Sequence, residues 1–182
     1  MYEMEIKVRT PHDPVRDRLP AIGAEPTKRY RQTDTYYDSP VRDFAETDEA
    51  LRLRLNESGS KTETHLAYKG PKLDPDSKTR VEHETAIDDA NRMRSILTAI
   101  GFEPVATVKK TRERFEIDEY TVTLDRVADL GEFVEIETTL EAQANLEAAR
   151  RRAVDLLGDL GIDAAAQIRR SYLELLLEGD NE

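Results

Sequence analysis

The sequence predicts an α+β fold in which an eight-stranded antiparallel β-barrel carries helices packed on its outside. The first reason is that apolar and polar residues alternate along most of the 182-residue chain, which is the period of strands with two different faces. The second is that eight such segments are present, about the number at which a closed barrel has room for one small ligand. The third is a smaller set of segments with helical spacing, which could cover the outside of a barrel.

The first predicted strand, Tyr2–Arg9, shows the alternation most clearly. Tyr2, Met4, Ile6 and Val8 fall on one face, and the other face is wholly charged. Successive side chains of a strand point to opposite sides, so one face of this strand is apolar and the other ionic. The other predicted strands are Thr33–Asp38, Ala50–Asn56, Glu63–Gly70, Thr79–Ile87, Val105–Ile117, Tyr120–Val127 and Glu132–Thr139.

Helical spacing of apolar residues is found in four segments. Pro20 disfavours the last turn of the first of them, and Gly101 can cap the end of the second. Between the fourth and fifth strands, the stretch Gly70–Ser77 has the composition of a turn-rich surface loop. The predicted helices are Asp13–Gly23, Asp89–Gly101, Glu141–Leu160 and Ile168–Leu177.

Composition excludes several classes of protein. The chain has no Cys, which excludes disulfides, thiol catalysis and thiolate metal sites. It has no apolar run of about 18 residues and no signal-peptide pattern, so we expect a cytoplasmic protein with no membrane association. The net charge of −11 argues against general nucleic-acid binding. An acidic surface with more Arg than Lys is typical of proteins from halophilic, salt-accumulating organisms, in which salt screens the self-repulsion.

Several predicted strands have one face that is almost wholly ionic. Charges of one sign stand two residues apart, so both members of a pair point to the same side of the strand. For any single strand, the ordinary interpretation is an apolar inner face and a solvated outer face. The acidic pairs are Glu3/Glu5 and Glu135/Glu137, and the basic pairs are Arg52/Arg54 and Lys110/Arg112.

Two features favour an ionic interior for the set as a whole. Amphipathic helices are available to cover an apolar outer face, and like charges are clustered rather than mixed. Carboxylate pairs suit Mg²⁺ or Mn²⁺, which bind carboxylates together with substrate phosphates, and Arg can bind two phosphate oxygens at once. Because buried charges need partners, this pattern predicts a highly charged ligand, such as a triphosphate with its metal ions.

The residues in these faces resemble the CYTH superfamily, also called triphosphate tunnel metalloenzymes. The family's ExExK signature stands at Glu3–Lys7, and further family segments follow in the family's order over nearly the whole chain. In detail the sequence resembles the archaeal and bacterial class IV adenylate cyclase-like branch. The matching segments are DTYYD (Asp34–Asp38), TDEALRLR (Thr47–Arg54), YKGPKLD (Tyr68–Asp74), the Lys110/Arg112 pair, Asp125 and GEFVEIE (Gly131–Glu137).

The resemblance implies one CYTH domain over residues 1–182, folded as a triphosphate tunnel, and a role for each matching residue. Asp125 would lie beside the metal or the nucleophile, and Lys7 would serve catalysis as well as binding. Relatives suggest a homodimer. The implied ligands of Mg²⁺ or Mn²⁺ are Glu3, Glu5 and Glu137, with Glu135 as the alternative to Glu137 and Glu84 as a second-metal ligand or a salt-bridge partner. The implied triphosphate ligands are Lys7, Arg52, Arg54, Lys69, Lys110, Arg112 and Arg80, with Lys78 as the alternative to Arg80.

Three functions fit these residues. In the first, the protein is an adenylate cyclase that converts ATP into cyclic AMP and pyrophosphate. In the second, it is a triphosphatase that hydrolyses inorganic triphosphate, a nucleoside triphosphate or thiamine triphosphate. In the third, it is a non-catalytic module that binds polyanions. The acidic pairs disfavour the third function, and the resemblance to the cyclase-like branch favours the first over the second.

Overall fold

The computed structural model describes residues 2–72, 80–141 and 145–179, without the side chains at positions 2, 3, 72 and 80. Eight strands are paired in the order β1-β8-β7-β6-β2-β3-β4-β5, and the described pairings are antiparallel. The strands are β1 (Tyr2–Arg9), β2 (Glu25–Asp38), β3 (Ala50–Ser58), β4 (Lys61–Lys72), β5 (Arg80–Ile87), β6 (Glu103–Ile117), β7 (Tyr120–Val127) and β8 (Gly131–Leu140). The helices are α1 (His12–Arg18), α2 (Ala90–Ala99), α3 (Leu146–Asp159) and α4 (Tyr172–Gly179).

The predicted α+β class and the eight antiparallel strands are confirmed, while the closure of the sheet into a barrel stays a prediction. The first helix ends at Arg18 and continues as a 3-10 turn over Leu19–Ile22, where Pro20 removes a helical donor. None of the described helices is long and apolar enough to cross a membrane.

Several strands differ from their predicted bounds by one or two residues, and β2 differs by eight. Strand β2 begins at Glu25, well before the predicted Thr33, because residues 25–29 are all exposed and so carry no apolar–polar alternation to detect. Strand β4 runs to Lys72, into the segment predicted as the loop Gly70–Ser77. The rest of that loop, together with Lys78, lies outside the described residues.

Three helices begin later than predicted, and α2 does so by only one residue, because Asp89 is its N-cap. Helix α3 begins at Leu146 and not at Glu141, and residues 142–144 lie outside the described part. Helix α4 begins at Tyr172 and not at Ile168, because residues 167 and 168 run alongside β1: Gln167 forms a β-bridge with Val8, and the Ile168 amide donates a 2.7 Å hydrogen bond to the Lys7 carbonyl. A capping box then starts α4: the Ser171 hydroxyl accepts from the Glu174 amide, and the Glu174 carboxylate accepts from the Ser171 amide.

The chain divides into two compact units, and the first comprises Met1–Arg29 and Lys110–Asp180. Its core forms where the apolar face of β1, with Met4, Ile6 and Val8, packs against helices α1 and α3. Each such aliphatic side chain stabilises the fold by about 1.5–3 kcal/mol on burial. Helices therefore cover the apolar face of these strands, as the sequence predicted, and the opposite face is left to the charges.

The second unit, Tyr30–Lys109, has a smaller core. Leu97 of α2 packs there with Leu51 and Leu53 of β3 and with the aromatic rings of Tyr37 and Phe44. The loop between β2 and β3 is fastened by Glu49, which accepts two hydrogen bonds from Arg42 and one each from Thr47 and Tyr68. These contacts order the segment that precedes the Arg52/Arg54 pair.

Candidate metal and phosphate site

Strand register brings the charges of the first unit together. In the β1–β8 ladder, Glu5 lies opposite Glu137 and Lys7 opposite Glu135. In the β6–β7 ladder, Arg112 lies opposite Asp125. Because residues two apart share a face, these ladders place acids and bases side by side on the face away from the helices.

Three carboxylates converge in this arrangement. Glu5, Glu135 and Glu137 each offer one oxygen, and these oxygens lie within 4.8 Å of one another. Such a set of hard oxygen donors fits Mg²⁺ or Mn²⁺, which take carboxylates together with phosphate oxygens and water. The sequence left Glu135 and Glu137 as alternatives, and the structure includes both. The predicted ligand Glu3 pairs through its backbone with Thr139, and its side chain lies outside the described residues.

The cations beside these acids are held in short ion pairs. The Lys7 ammonium lies 3.2 Å from Glu135 Oε1 and 3.6 Å from Glu5 Oε1. The Arg112 guanidinium binds both oxygens of Asp125, at 2.8 and 2.5 Å, and also Glu135 Oε2 at 2.6 Å. Bidentate geometry of this kind fixes the plane of the guanidinium as well as its position.

Most of these ion-paired residues are buried. Lys7, Lys110, Asp125 and Glu135 are all buried, and Asp125 is fully inaccessible to solvent. Burial by itself would raise the pKa of Glu135, but the positive charges of Arg112, Lys7 and Lys110 outweigh it and lower the pKa below its ordinary value. Glu135 is therefore ionised at neutral pH and available as a ligand.

The second unit has its own set of predicted residues. Arg54 binds both oxygens of the buried Asp34, at 2.7 and 2.6 Å. Arg52 approaches Glu84 at 3.5 Å, and its buried Nε has no hydrogen-bond partner among the described residues. The Arg52 contact matches the salt-bridge alternative for Glu84, which also lies 3.4 Å from His65, and the role of Glu84 as a metal ligand stays a prediction. Lys69 pairs with Glu82 at 3.3 Å, and the Arg80 side chain lies outside the described part.

Three residues of the first unit were not singled out as site residues from the sequence. Arg114 binds Glu137 at 3.2 Å, and its place two residues after Arg112 on the same face was a usable signal. Thr123 lies opposite Glu135 with a buried hydroxyl that has no hydrogen-bond partner among the described residues. Tyr172 donates a 2.9 Å hydrogen bond to Asp125, and no local pattern could reveal it, because 47 residues separate the two.

Comparison with known proteins gives relatives along the whole chain. A Methanocaldococcus jannaschii protein, provisionally named an adenylate cyclase, is 38% identical over 176 residues, which cover 96% of this chain and 98% of the relative. The adenylate cyclase CyaB of Aeromonas hydrophila is 29% identical over 96% of this chain and 88% of its own.

Solved structures show the same fold. A Pyrococcus horikoshii protein superposes with a TM-score of 0.86 at 39% identity, covering 98% of this chain and 99% of the other. A Hippeastrum protein, provisionally named an adenylyl cyclase and having a dominant triphosphatase activity, superposes with a TM-score of 0.69 at 20% identity, over 98% of this chain and 96% of its own.

The chain can be assigned to a family because it matches that family's sequence model. The model of the CYTH domain matches residues 1–172. Members of this family are enzymes that use divalent metal ions, and the relatives named above carry adenylate cyclase names. With an ExExK strand, a carboxylate cluster and flanking cations in one described unit, and a family match over nearly its full length, the chain belongs to the CYTH domain family.

Proposed function

We propose that this chain is a divalent-metal-dependent adenylate cyclase of the class IV type, converting ATP into cyclic AMP and pyrophosphate. The observation that carries the proposal is the convergence of Glu5, Glu135 and Glu137 next to Lys7 and Arg112. The near full-length similarity to two proteins with adenylate cyclase names supports the choice of reaction.

The carboxylates are suited to hold Mg²⁺ or Mn²⁺. Glu5, Glu135 and Glu137 supply three oxygens. The buried Thr123 hydroxyl opposite Glu135 is a further polar atom, and it has no hydrogen-bond partner among the described residues. When bound, the ion neutralises phosphate charge and lowers the pKa of a coordinated hydroxyl group.

The cations are suited to hold the triphosphate. Lys7, Lys110 and Arg112 are buried or nearly so, and a phosphate oxygen gains more from a donor in such surroundings than from one in water. Asp125, bound on both oxygens, keeps the Arg112 guanidinium in one orientation. In the reaction, the ribose 3′ oxygen bonds to the α-phosphorus, the bond to the pyrophosphate oxygen breaks, and the hydroxyl proton leaves to water. The cations stabilise the charge that develops on the pyrophosphate.

Triphosphate hydrolysis is the second candidate. The Hippeastrum protein, with its dominant triphosphatase activity, shares this fold, and the same donors would serve attack by water on the terminal phosphorus. A non-catalytic polyanion module is disfavoured, since an anion receptor gains nothing from three converging carboxylates. The triphosphate contacts of Arg52, Arg54, Lys69 and Arg80, the homodimer and the cytoplasmic location stay predictions.

The two reactions are separated by their products. The protein is incubated with ATP and Mn²⁺, the nucleotides are resolved by chromatography, and phosphate release from inorganic triphosphate is measured in parallel. We expect cyclic AMP and pyrophosphate from ATP, and slow turnover of inorganic triphosphate, because cyclisation needs a ribose. Rapid phosphate release without cyclic AMP would instead assign the chain to the triphosphatases.

A further inference from the structure

The residues after the 3-10 turn Ala164–Ala166 run back along β1 to the charged face. Gln167 forms a β-bridge with Val8, the Ile168 amide bonds to the Lys7 carbonyl, and the Lys7 ammonium lies 3.5 Å from the carbonyl of Arg170. Helix α4 then starts at Tyr172, whose side chain is buried. This path places one aromatic side chain from the C-terminal part of the chain, that of Tyr172, beside the charged residues of the site.

Tyr172 contacts the site through both its ring and its hydroxyl. The ammonium groups of Lys7 and Lys110 lie 4.2 and 4.9 Å from the ring centroid, within the range of cation–π attraction. The hydroxyl donates to Asp125 Oδ2 at 2.9 Å, and the ring packs edge-on against Phe133. Burial, then the negative charges of Glu135 and Asp125, raise the pKa of the Tyr172 phenol, which therefore remains a donor at all physiological pH values.

These contacts form a closed series, in which each side chain binds the next. Lys7 binds Glu135, Glu135 binds Arg112, Arg112 binds Asp125, Asp125 accepts from Tyr172, and the Tyr172 ring lies against Lys7. Lysine is a flexible cation whose side chain loses rotamer freedom when it binds a phosphate. A ring that already holds two ammonium groups removes part of that loss before the ligand arrives.

We propose that Tyr172 is a positioning residue of the triphosphate site: its ring places Lys7 and Lys110, and its hydroxyl, through Asp125, orients Arg112. This role rests on the proposed triphosphate-binding function. Substitutions can separate the contribution of the ring from that of the hydroxyl, because phenylalanine keeps the ring and loses the hydroxyl, whereas leucine loses both.

The test compares Tyr172→Phe and Tyr172→Leu with Tyr120→Phe. Tyr120 is the matched control, since its hydroxyl also makes a buried hydrogen bond in this unit, to the carbonyl of Ala149, and bonds to no site residue among the described ones. Three measurements are made on the full chain: kcat and KM with ATP, the Kd of inorganic triphosphate by calorimetry, and the NMR shifts of the lysine ε-methylene groups.

We expect Tyr172→Phe to lower kcat by about tenfold with KM changed by less than about twofold, the pattern of an interaction used after binding. Tyr172→Leu should in addition raise the Kd of inorganic triphosphate by about tenfold, from the loss of two cation–π contacts. The ring-current shifts of Lys7 and Lys110 should persist in Tyr172→Phe and vanish in Tyr172→Leu. Tyr120→Phe should lower the melting temperature and leave kcat, KM and Kd unchanged.

Wild-type kinetics and binding in both Tyr172 variants would overturn this role alone. The same would follow if Tyr120→Phe lost kcat to the same extent, because the effect would then come from general destabilisation. A wild-type protein that binds no triphosphate would overturn the proposed function, and the positioning role with it.

Discussion

The pair Asp34–Arg54 allows the structural and ligand-binding roles of a predicted phosphate ligand to be separated. The two residues lie opposite each other in the β2–β3 ladder and share two hydrogen bonds of 2.7 and 2.6 Å. Their burial is unequal: the Asp34 side chain is 2% exposed and the Arg54 side chain 21%. Removal of Arg54 therefore leaves a charge with no access to water, whereas removal of Asp34 leaves one that water can reach.

This inequality sets the expected magnitudes. Arg54→Gln should lower the free energy of unfolding by about 3–5 kcal/mol, the cost of breaking a buried ion pair by removing one of its members. Asp34→Asn should cost less, about 1.5–3 kcal/mol, the range for losing hydrogen bonds to a charged group. The double variant should be more stable than the sum of the single effects allows, by at least about 1 kcal/mol, because it removes both charges of the pair together.

Urea unfolding of the four proteins measures these free energies. Equal costs of the two single variants, or additive costs in the double variant, would refute the argument from burial. The folded double variant then serves a second purpose in calorimetric titration with a non-hydrolysable ATP analogue. If it binds the analogue as tightly as the wild-type protein, Arg54 is a structural partner of Asp34 and not a triphosphate ligand.

Four further outcomes are expected. Glu5→Gln should abolish activity without unfolding the protein, because the amide keeps the shape and loses the charge that a metal needs; full turnover in excess chelator would contradict this. Lys110→Ala should weaken binding of the ATP analogue by about 1.5–3 kcal/mol, while the exposed Arg151→Ala should have almost no effect in the same titration. The melting temperature should rise along a KCl series, because salt screens the repulsion within a chain of net charge −11; a flat series would remove the halophile argument. Hydrogen bonds from Arg42, Thr47 and Tyr68 lower the pKa of Glu49 from its ordinary 4.5, so its ionised form stabilises the fold above that pH. Glu49→Gln should therefore lower the melting temperature at pH 7, and the difference should shrink as the pH falls below 4.5, whereas the exposed Glu46→Gln should show no such trend.

The parts of the fold that the sequence predicted are those with local periodicity. The alternation in β1 and β8 placed Glu5, Lys7 and Glu135 on one face, and the structure has them within ion-pair distance. The start of β2 was missed because its exposed residues have no apolar face to alternate with. The start of α4 was placed too early because residues 167 and 168 pair with β1, a contact between distant segments, although the capping box of Ser171 and Glu174 was a local signal for the true start.

The same distinction applies to the site. Residue type and spacing predicted the acids and bases, but they could not say which acid binds which base. Asp125 accepts hydrogen bonds from Arg112 and Tyr172, two residues that reach it from different parts of the chain, while its place beside a metal or nucleophile stays a prediction. A charge pattern specifies which groups share a face, whereas partners are chosen by strand register and by the return of distant segments.

Charge balance explains why one arrangement could serve either proposed reaction. Four acids and four bases make up the described charges of the first-unit site, and these charges sum to zero. Each of the four acids lies in an ion pair with one of the bases. They are Glu5, Asp125, Glu135 and Glu137 with Lys7, Lys110, Arg112 and Arg114. A buried pair that loses one partner is strongly destabilised. The acids can therefore change partner to a metal cation, and the bases to phosphate oxygens, at the smallest cost in stability when both changes of partner occur together. Under the proposed function, this exchange would position a metal-bound triphosphate without selecting which phosphorus is attacked. The choice between cyclisation and hydrolysis must lie with the groups that hold the rest of the substrate, and not with these eight side chains.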